Sequence, residues 1–386
     1  MRQDVVSRFL ETGATHGGRA AHAPVSADVA AIDLSLNNYL GLRDHPGVER
    51  AAIAAIERYG VGAASGRNAA DRIDLHEELE RKIAAFKGVE AALTFQSGFA
   101  TNIGLIPALV GRSDVVIYDE LSHASTVDAI RLSGAAAIAY PHRNVDQLEQ
   151  KLRELRSGRS NGRPRNVVIA TDGVFGMDGD IAPLPEICSL AERFEALVIV
   201  DDAHATGVLG ANGRGSAEHF GLGGRVHVQV GTLSKAIGCF GGFVAADDRV
   251  CGHLLRRARP VLYSTLLPPS LAAAALAAIE VIEREPERRE RLWANTRRFR
   301  DRLRRAGFET GTSETPIVPV LLGSGDAARR FSDRLRQEGI VVQPVADSPI
   351  RRARVRTIVN AQHTDEQLDR AATVMTRVGR ELAALS

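Results

Sequence analysis

Lys235 is the side chain in this sequence on which covalent chemistry can be built. The chain carries 49 Lys plus Arg, yet only Lys82, Lys87, Lys151 and Lys235 are lysines. The first three lie in charged, helix-like stretches that read as surface. Lys235 follows the apolar run Val226-His227-Val228-Gln229-Val230 and precedes a glycine-rich segment ending in Gly241-Gly242. That pattern describes a buried strand running into a tight loop, where a cation is costly unless it has a partner or a covalent role. A primary amine with a tunable pKa can form a Schiff base, and an arginine cannot. The plainer reading is a lysine that marks a loop edge, and its neighbours decide between the two. Asp201-Asp202-Ala203-His204 directly follows the apolar run Leu197–Val200. An acid there serves as a cap, a metal ligand or a charge partner. Lys235 comes one strand later, so both residues can face one crevice.

Three further groups converge on the same chemistry. Ser97-Gly98-Phe99 lies between the strand-like Ala91–Phe95 and a helix-like stretch. Glycine permits close approach, and a helix N-terminus offers unpaired N–H groups to a phosphate; an ordinary strand-to-helix turn would look the same. Thr232 and Ser234 add hydroxyls just before the lysine. His123 is either a satisfied core histidine or a flat lid over an aromatic ring. A lysine that forms a Schiff base, with an aspartate for a pyridinium nitrogen, is what pyridoxal phosphate requires.

The elements that must position these residues alternate along the chain. Helical spacing runs over Pro46–Tyr59 and His76–Phe86, the latter closed by Gly88. Apolar runs at Ala91–Phe95, Val115–Tyr118, Val167–Thr171, Leu197–Val200 and Val226–Val230 are separated by helical stretches. This is the signature of an α/β fold with a mainly parallel sheet wrapped by helices. Ligands in such sheets sit at the strands' carboxyl ends, where His123, Asp201, His204 and Lys235 fall. Pro268-Pro269 breaks the rhythm. A long helix and short strands at Ile317–Leu322, Ile340–Val345 and Arg354–Val359 then predict a smaller α+β domain. The expected organisation is an N-terminal arm over 1–40, a large cofactor-binding domain over 41–270 and a small domain over 271–386, with residues 1–30 loosely structured.

Composition excludes several classes. The 49 basic and 47 acidic residues give a net charge of +2, and no basic field suggests nucleic acid. The Arg-rich stretch 284–305 is interleaved with acids and reads as a solvated helix face. Three cysteines without CxxC spacing indicate neither a disulfide framework nor a zinc site. No apolar leader follows Met1, and the run Leu271–Ile279 is too short to span a bilayer, so a cytoplasmic protein without membrane or metal partners is expected.

Taken in order, the motifs resemble the α-oxoamine synthase family of fold-type I pyridoxal-phosphate enzymes. They run from Asn37-Asn38-Tyr39-Leu40-Gly41-Leu42 through Phe95-Gln96-Ser97-Gly98-Phe99, Leu121-Ser122-His123-Ala124-Ser125 and Asp172-Gly173-Val174-Phe175. Met177-Asp178-Gly179-Asp180, Asp201 to Gly207, Gly213-Arg214-Gly215, Thr232-Leu233-Ser234-Lys235, Tyr263-Ser264-Thr265 and Arg354-Val355-Arg356 continue the series. The resemblance implies that Lys235 carries the cofactor, Asp201 pairs with the ring nitrogen, His204 bonds the ring hydroxyl and His123 stacks on the ring. It implies a phosphate site made by Ser97, Gly98, Phe99, Thr232 and Ser234, with Thr265 reaching the phosphate of the partner subunit in a homodimer with shared active sites. Asn37 and Arg356 match positions that hold an amino-acid carboxylate, a task suited to arginine's planar fork. The reaction implied is acyl transfer from a thioester of coenzyme A or acyl carrier protein to the α-carbon of a small amino acid, with decarboxylation to an α-amino ketone.

The chain departs from the family pattern at Asp71-Arg72, near the expected substrate entrance, and at Gly66, where Thr or Ser often limits side-chain size. It departs also at Gly176, where Ser is usual beside the ring hydroxyl, and at Arg351-Arg352, where a glycine usually precedes the carboxylate arginine. Rival readings are an aminotransferase, a non-catalytic fold-type I subunit, and a dinucleotide-binding oxidoreductase. The last would use Gly60-Val61-Gly62-Ala63-Ala64-Ser65-Gly66, but that loop follows a helical stretch and should follow a strand.

Overall fold

The computed structural model describes residues 31–67, 74–157 and 164–382. The expectations for the arm over 1–30 and for Asp71 and Arg72 lie outside the described residues. The strands are β1 (Ile32–Asp33), β2 (Ala91–Phe95), β3 (Val115–Asp119), β4 (Ala136–Tyr140), β5 (Val167–Asp172), β6 (Leu197–Asp201), β7 (Val228–Thr232) and β8 (Gly242–Ala246). The remainder are β9 (Ile317–Leu321), β10 (Ile340–Val341), β11 (Gln343–Val345) and β12 (Arg354–Ile358). Seven of them form one sheet in the order β2-β8-β7-β6-β5-β3-β4. Only β8 runs against its neighbours. The sheet is therefore mainly parallel, as the apolar runs predict. Two members were not legible: β4, whose Ala-rich edge is largely exposed, and β8, a buried strand hidden behind Gly241-Gly242.

Strands β5 to β7 read as near-continuous apolar runs because helices cover both faces. Ile169, Val198 and Val200 pack with Leu148, Leu152 and Ile187 on one face. On the other, Val168, Ile199 and Val230 pack with Leu105, Ile106 and Ile130. Helix Pro269–Arg284 lies against helices Pro46–Tyr59 and Asp74–Lys87. Its buried Ala272, Ala275 and Ala278 permit that close approach.

The three-stranded antiparallel sheet β11-β12-β9 has its own core of Phe299, Phe331, Val355 and Met375. Segment 32–42 ties this part to the large sheet. β1 pairs with β10, Leu34 O accepts from Ile358 N at 2.7 Å, and Tyr39 O accepts from Ala361 N at 2.8 Å. The Arg-rich stretch divides across Pro286–Arg305. Arg298 and Arg302 pair with acids on helix Asp365–Glu381, while Arg289 is buried against the Ala211 carbonyl.

Lys87 corrects the surface reading. It is the last residue of helix Asp74–Lys87, yet its side chain is fully buried and its Nζ lies 3.0 Å from Asp202 Oδ2. Its place in a charged, helix-like stretch suggested a surface residue. The chain instead turns inward to a carboxylate contributed by a distant loop.

Candidate active site

A cavity of about 220 Å³ opens at the carboxyl ends of β5, β6 and β7. Ser97, Gly98, Phe99, His123, Asp201, His204, Thr232, Ser234 and Lys235 line it, as do Ser125, Asp172, Val174 and Ala203. Nine of the sequence-derived candidates thus converge on one crevice. Asn37, Arg356 and Thr265 are not among its lining residues.

Helix Gly98–Leu109 starts at Ser97, whose hydroxyl caps it by accepting from Ala100 N at 3.0 Å. The first-turn N–H groups of Gly98 and Phe99 have no partner within the helix, and both residues line the cavity. Close approach here requires glycine on the neighbouring strand. A Cβ at Gly242 would sit 2.4 Å from Thr101 Oγ1 and 2.7 Å from Gly98 N. Thr232 Oγ1 lies 2.8 Å from Ser234 Oγ, which places two hydroxyls beside this N-terminus.

His123 caps helix Ala124–Ser133 and leaves its ring exposed to the cavity. Its orientation is set by a chain of bonds. Asn102 Nδ2 donates to Asp201 Oδ2 at 2.8 Å and to Ser125 Oγ at 2.9 Å, and that hydroxyl lies 2.7 Å from His123 Nδ1. Burial lowers the His123 pKa, against the pull of Asp201 and with the help of Lys235. Asp201 also accepts from Ala203 N at 3.0 Å. Asp172 lies beside Asp201 in register and accepts from His123 N at 3.2 Å. Burial, and then the Asp201 charge, raise its carboxyl well above the usual range. Asn102, Ser125 and Asp172 were not singled out for roles from sequence. The last two stand inside quoted motifs, and Asn102 gave no signal beyond its place in a helix.

Lys235 is half-buried, lines the cavity and has a desolvated amine. Burial pushes the amine down to about 8, with Arg356 acting the same way and Asp201 and Asp172 opposing. Its Nζ lies 2.9 Å from His204 Nε2, and His204 Nδ1 lies 2.8 Å from the Tyr39 hydroxyl.

Arg356, 5% exposed, donates to the Gly176 carbonyl, to Asn37 Oδ1 at 3.0 Å and to Gln343 Oε1 at 3.2 Å. Among the described residues none of these hydrogen-bond partners is a carboxylate. The Gly176 turn brings it next to His204, since a Cβ at Gly176 would touch that ring. Thr265 is exposed and contributes its backbone carbonyl to Gln96 Nε2 at 2.7 Å. Gly66 packs on the same segment, with its absent Cβ 3.3 Å from Ser264 O. The two unexpected arginines are engaged elsewhere: Arg351 lies 3.2 Å from Asp178 Oδ2, and Arg352 pairs with Glu309 at 2.7 Å.

Among the described residues no group of three or more His, Cys, Asp or Glu side chains could hold a metal ion. No described helix is long and apolar enough to cross a membrane. An enclosed amine, a hydrogen-bonded carboxylate, an open imidazole face and a hydroxyl-flanked helix N-terminus fit a flat aromatic aldehyde that carries a phosphate. The fold and the donor set define a fold-type I enzyme that uses pyridoxal phosphate.

The comparisons with known proteins refine this class. The aminotransferase class I and II family matches residues 29–375, and the chain belongs to it. It is 53% identical to the 8-amino-7-oxononanoate synthase of Symbiobacterium thermophilum, over 92% of this chain and 90% of that protein. It is 48% identical to 8-amino-7-oxononanoate synthase 1 of Bacillus subtilis, over 92% and 89%. Its structure superposes on serine palmitoyltransferase bearing pyridoxal phosphate with a TM-score of 0.88 at 31% identity, covering 100% and 98% of the two chains. Within the family the chain is a pyridoxal-phosphate-dependent C-acyltransferase of the α-oxoamine synthase class. That displaces the aminotransferase, oxidoreductase and non-catalytic readings.

Proposed function

We infer that the protein joins alanine to a seven-carbon dicarboxylic acyl thioester, with loss of the thiol and CO2. The name of its relatives supports this through the product it specifies. In 8-amino-7-oxononanoate the terminal CH(NH2)CH3 is alanine without its carboxylate, and carbons 1 to 7 are a pimeloyl unit. The thiol is that of coenzyme A or an acyl carrier protein.

The observation that carries the reading is Arg356. A buried guanidinium whose hydrogen bonds all go to uncharged acceptors is a favourable place for an anion to bind. Fixed by Asn37, Gln343 and the Gly176 carbonyl, its fork is set for a carboxylate beside Lys235. Bound there, pyridoxal phosphate supplies an electron-accepting ring that stabilises negative charge on the substrate α-carbon. Lys235 anchors it and, once free, takes the α-proton. An amine already lowered to about 8 is a competent base near neutrality. Asp201, held by Asn102, is the partner of the ring nitrogen. His123 presents its face as a stacking surface, and His204 faces the ring hydroxyl. Ser97, Gly98, Phe99, Thr232 and Ser234 hold the phosphate.

Thr265 belongs in this reading to the neighbouring site of a homodimer, consistent with its exposure and its place outside the cavity. Phe99 and Tyr263, 48% and 77% exposed, offer apolar surface for such a partner. Cytoplasmic location and the division at residues 40 and 270 are part of the same proposal.

The test begins with the yellow purified protein. Borohydride reduction and peptide mapping should place the cofactor on Lys235, and Lys235→Ala should lose both the chromophore and turnover by several orders of magnitude. Alanine should perturb the spectrum, and pimeloyl thioester should then release thiol. Mapping to Lys82, Lys87 or Lys151, or thiol release driven equally by unrelated amino acids, would overturn the reading.

A further inference from the structure

Tyr39 is 1% exposed, and among the described residues its hydroxyl has one hydrogen-bond partner, His204 Nδ1 at 2.8 Å. The same ring meets Lys235 Nζ through Nε2 at 2.9 Å. A buried phenol proton needs an acceptor, and Nδ1 is the one in reach. Burial raises the tyrosine far above its ordinary range, only slightly relieved by Arg356, so the proton stays on. Burial, followed by the charges of Lys235, Arg356 and His123, drives His204 well below the usual imidazole value, so its ring is neutral. With Nδ1 accepting, the single ring proton must sit on Nε2 and point at the lysine.

We propose that Tyr39 is a positioning residue that fixes the ring and tautomer of His204, so that a protonated Nε2 faces Lys235 in a space that glycine at position 176 leaves open. The inference deepens the proposed function and rests on its reading of Lys235 as the cofactor-bearing amine.

The three groups are coupled through one ring. An Nε2–H can donate to an uncharged amine, or to an oxygen brought there by the cofactor. A lysine ammonium would instead require Nε2 to accept, which moves the ring proton to Nδ1 and leaves the phenol proton without an acceptor in a dry core. Tyr39 therefore favours the uncharged lysine. Asp172 at the end of β5, Asp201 at the end of β6, His123 and Arg356 on β12 also face Lys235 and are unaltered by a change at Tyr39. The tyrosine is rigid enough for this role. Its carbonyl accepts from Ala361 N, and it sits in a core with Leu40 and Leu42.

Gly176 supplies the independent observation. Its φ is not in the positive range, so the backbone does not demand glycine. Its absent Cβ would lie 2.3 Å from His204 Nε2 and 2.8 Å from Cδ2. With a Cβ there either the ring or the turn at 176 must shift, so glycine leaves His204 undisturbed on the line between Tyr39 and Lys235.

The experiment uses the full chain with 15N-labelled histidine, before and after addition of pyridoxal phosphate, with His204→Asn assigning the signal. In the same samples, the pH dependence of reductive methylation at Lys235 is read by mass spectrometry before the cofactor is added. Wild type should show the Nε2–H tautomer. Tyr39→Phe should shift the ring toward Nδ1–H and raise the Lys235 midpoint by roughly 1 pH unit, a several-fold loss of reactive amine near pH 8. Gly176→Ala should lose both signatures with Tyr39 still present. A Tyr39→Phe protein that melts earlier but keeps the tautomer and midpoint overturns the inference. Borohydride mapping on Tyr39→Phe separates the two readings: cofactor found away from Lys235 sinks the proposed function, whereas cofactor on Lys235 with an unchanged tautomer sinks only this inference.

Discussion

Replacing Lys87 with methionine should cost more stability than any surface substitution and should do so without touching the chemistry. Both side chains of the Lys87–Asp202 pair are 0% exposed. The amine donates to Asp202 Oδ2 at 3.0 Å, Thr206 Oγ1 at 3.4 Å and the Arg214 carbonyl. Asp202 keeps Ser216 as its other partner, through backbone N at 3.1 Å and the hydroxyl. Gly173 and Gly215 make the room: their absent Cβ atoms would lie 2.2 and 2.1 Å from the Asp202 oxygens. Lys87→Met fills most of the stem volume but strands a carboxylate in the core, which costs about 3–5 kcal/mol. At about 2.1 cal/mol/K per residue, 386 residues give an unfolding entropy near 0.8 kcal/mol/K, so the melting midpoint should fall by about 4–6 °C. The double variant Lys87→Met, Asp202→Leu removes the stranded charge and should recover part of that loss. Thermal melts of the cofactor-loaded protein, with borohydride mapping as a control, measure both effects. A single variant that melts within 1 °C or so of wild type, or a double variant that melts no higher than the single, would refute the buried-pair argument.

Three further outcomes follow from the site. Asp201→Asn keeps one accepting oxygen for either Asn102 or Ala203 and loses the charge; cofactor affinity should drop by about 10–100-fold, from about 1.5–3 kcal/mol of lost charge assistance, and turnover should fall further. Near-normal turnover would mean that another group serves the ring nitrogen. Arg356→Lys exchanges a planar fork for a point charge, so alanine binding should weaken while the cofactor spectrum alone stays unchanged. His142 lies 2.9 Å from Asp119 and 2.8 Å from Asp180, and 4.4 Å from Phe175 in edge-on contact. Burial opposes its charge, but the two carboxylates prevail and raise it to about 9. A raised histidine contributes stability that is complete below its unfolded value of 6.5 and lost as pH climbs through 9. With the ring about a fifth exposed, wild type should shed about 2–3 kcal/mol over that window relative to His142→Gln, as urea unfolding at several pH values would show. Parallel pH profiles for the two proteins would contradict it.

Much of the fold was legible because burial imposes a period. Strands β5, β6 and β7 had to be continuous apolar runs once helices covered both faces, and helices such as Pro46–Tyr59 had to show one apolar side. The convergence of Lys235, Asp201, His204 and His123 was legible too, because each follows a strand and the carboxyl ends of parallel strands share one edge. Strand β4 was not, because an exposed Ala-rich edge lacks the contrast that periodicity needs. β8 was not, because a buried antiparallel strand entered through two glycines looks like loop.

What the sequence alone determined is the set of groups that must meet: an amine, a carboxylate, two imidazoles, a helix N-terminus and a guanidinium. Tertiary structure alone decided their partners. Lys87 reads as a surface helix end until Asp202, 115 residues away, turns up beneath it. Tyr39 reads as one letter of a motif until segment 32–42 lies along β12 and brings its hydroxyl to His204, 165 residues on. Gly176 reads as a missing side chain until the His204 ring is seen in the space. Local sequence sets backbone conformation and face, through forces that act over a few residues. Which donor meets which acceptor is settled when distant segments pack, because a buried polar group must find its partner wherever the fold has put one.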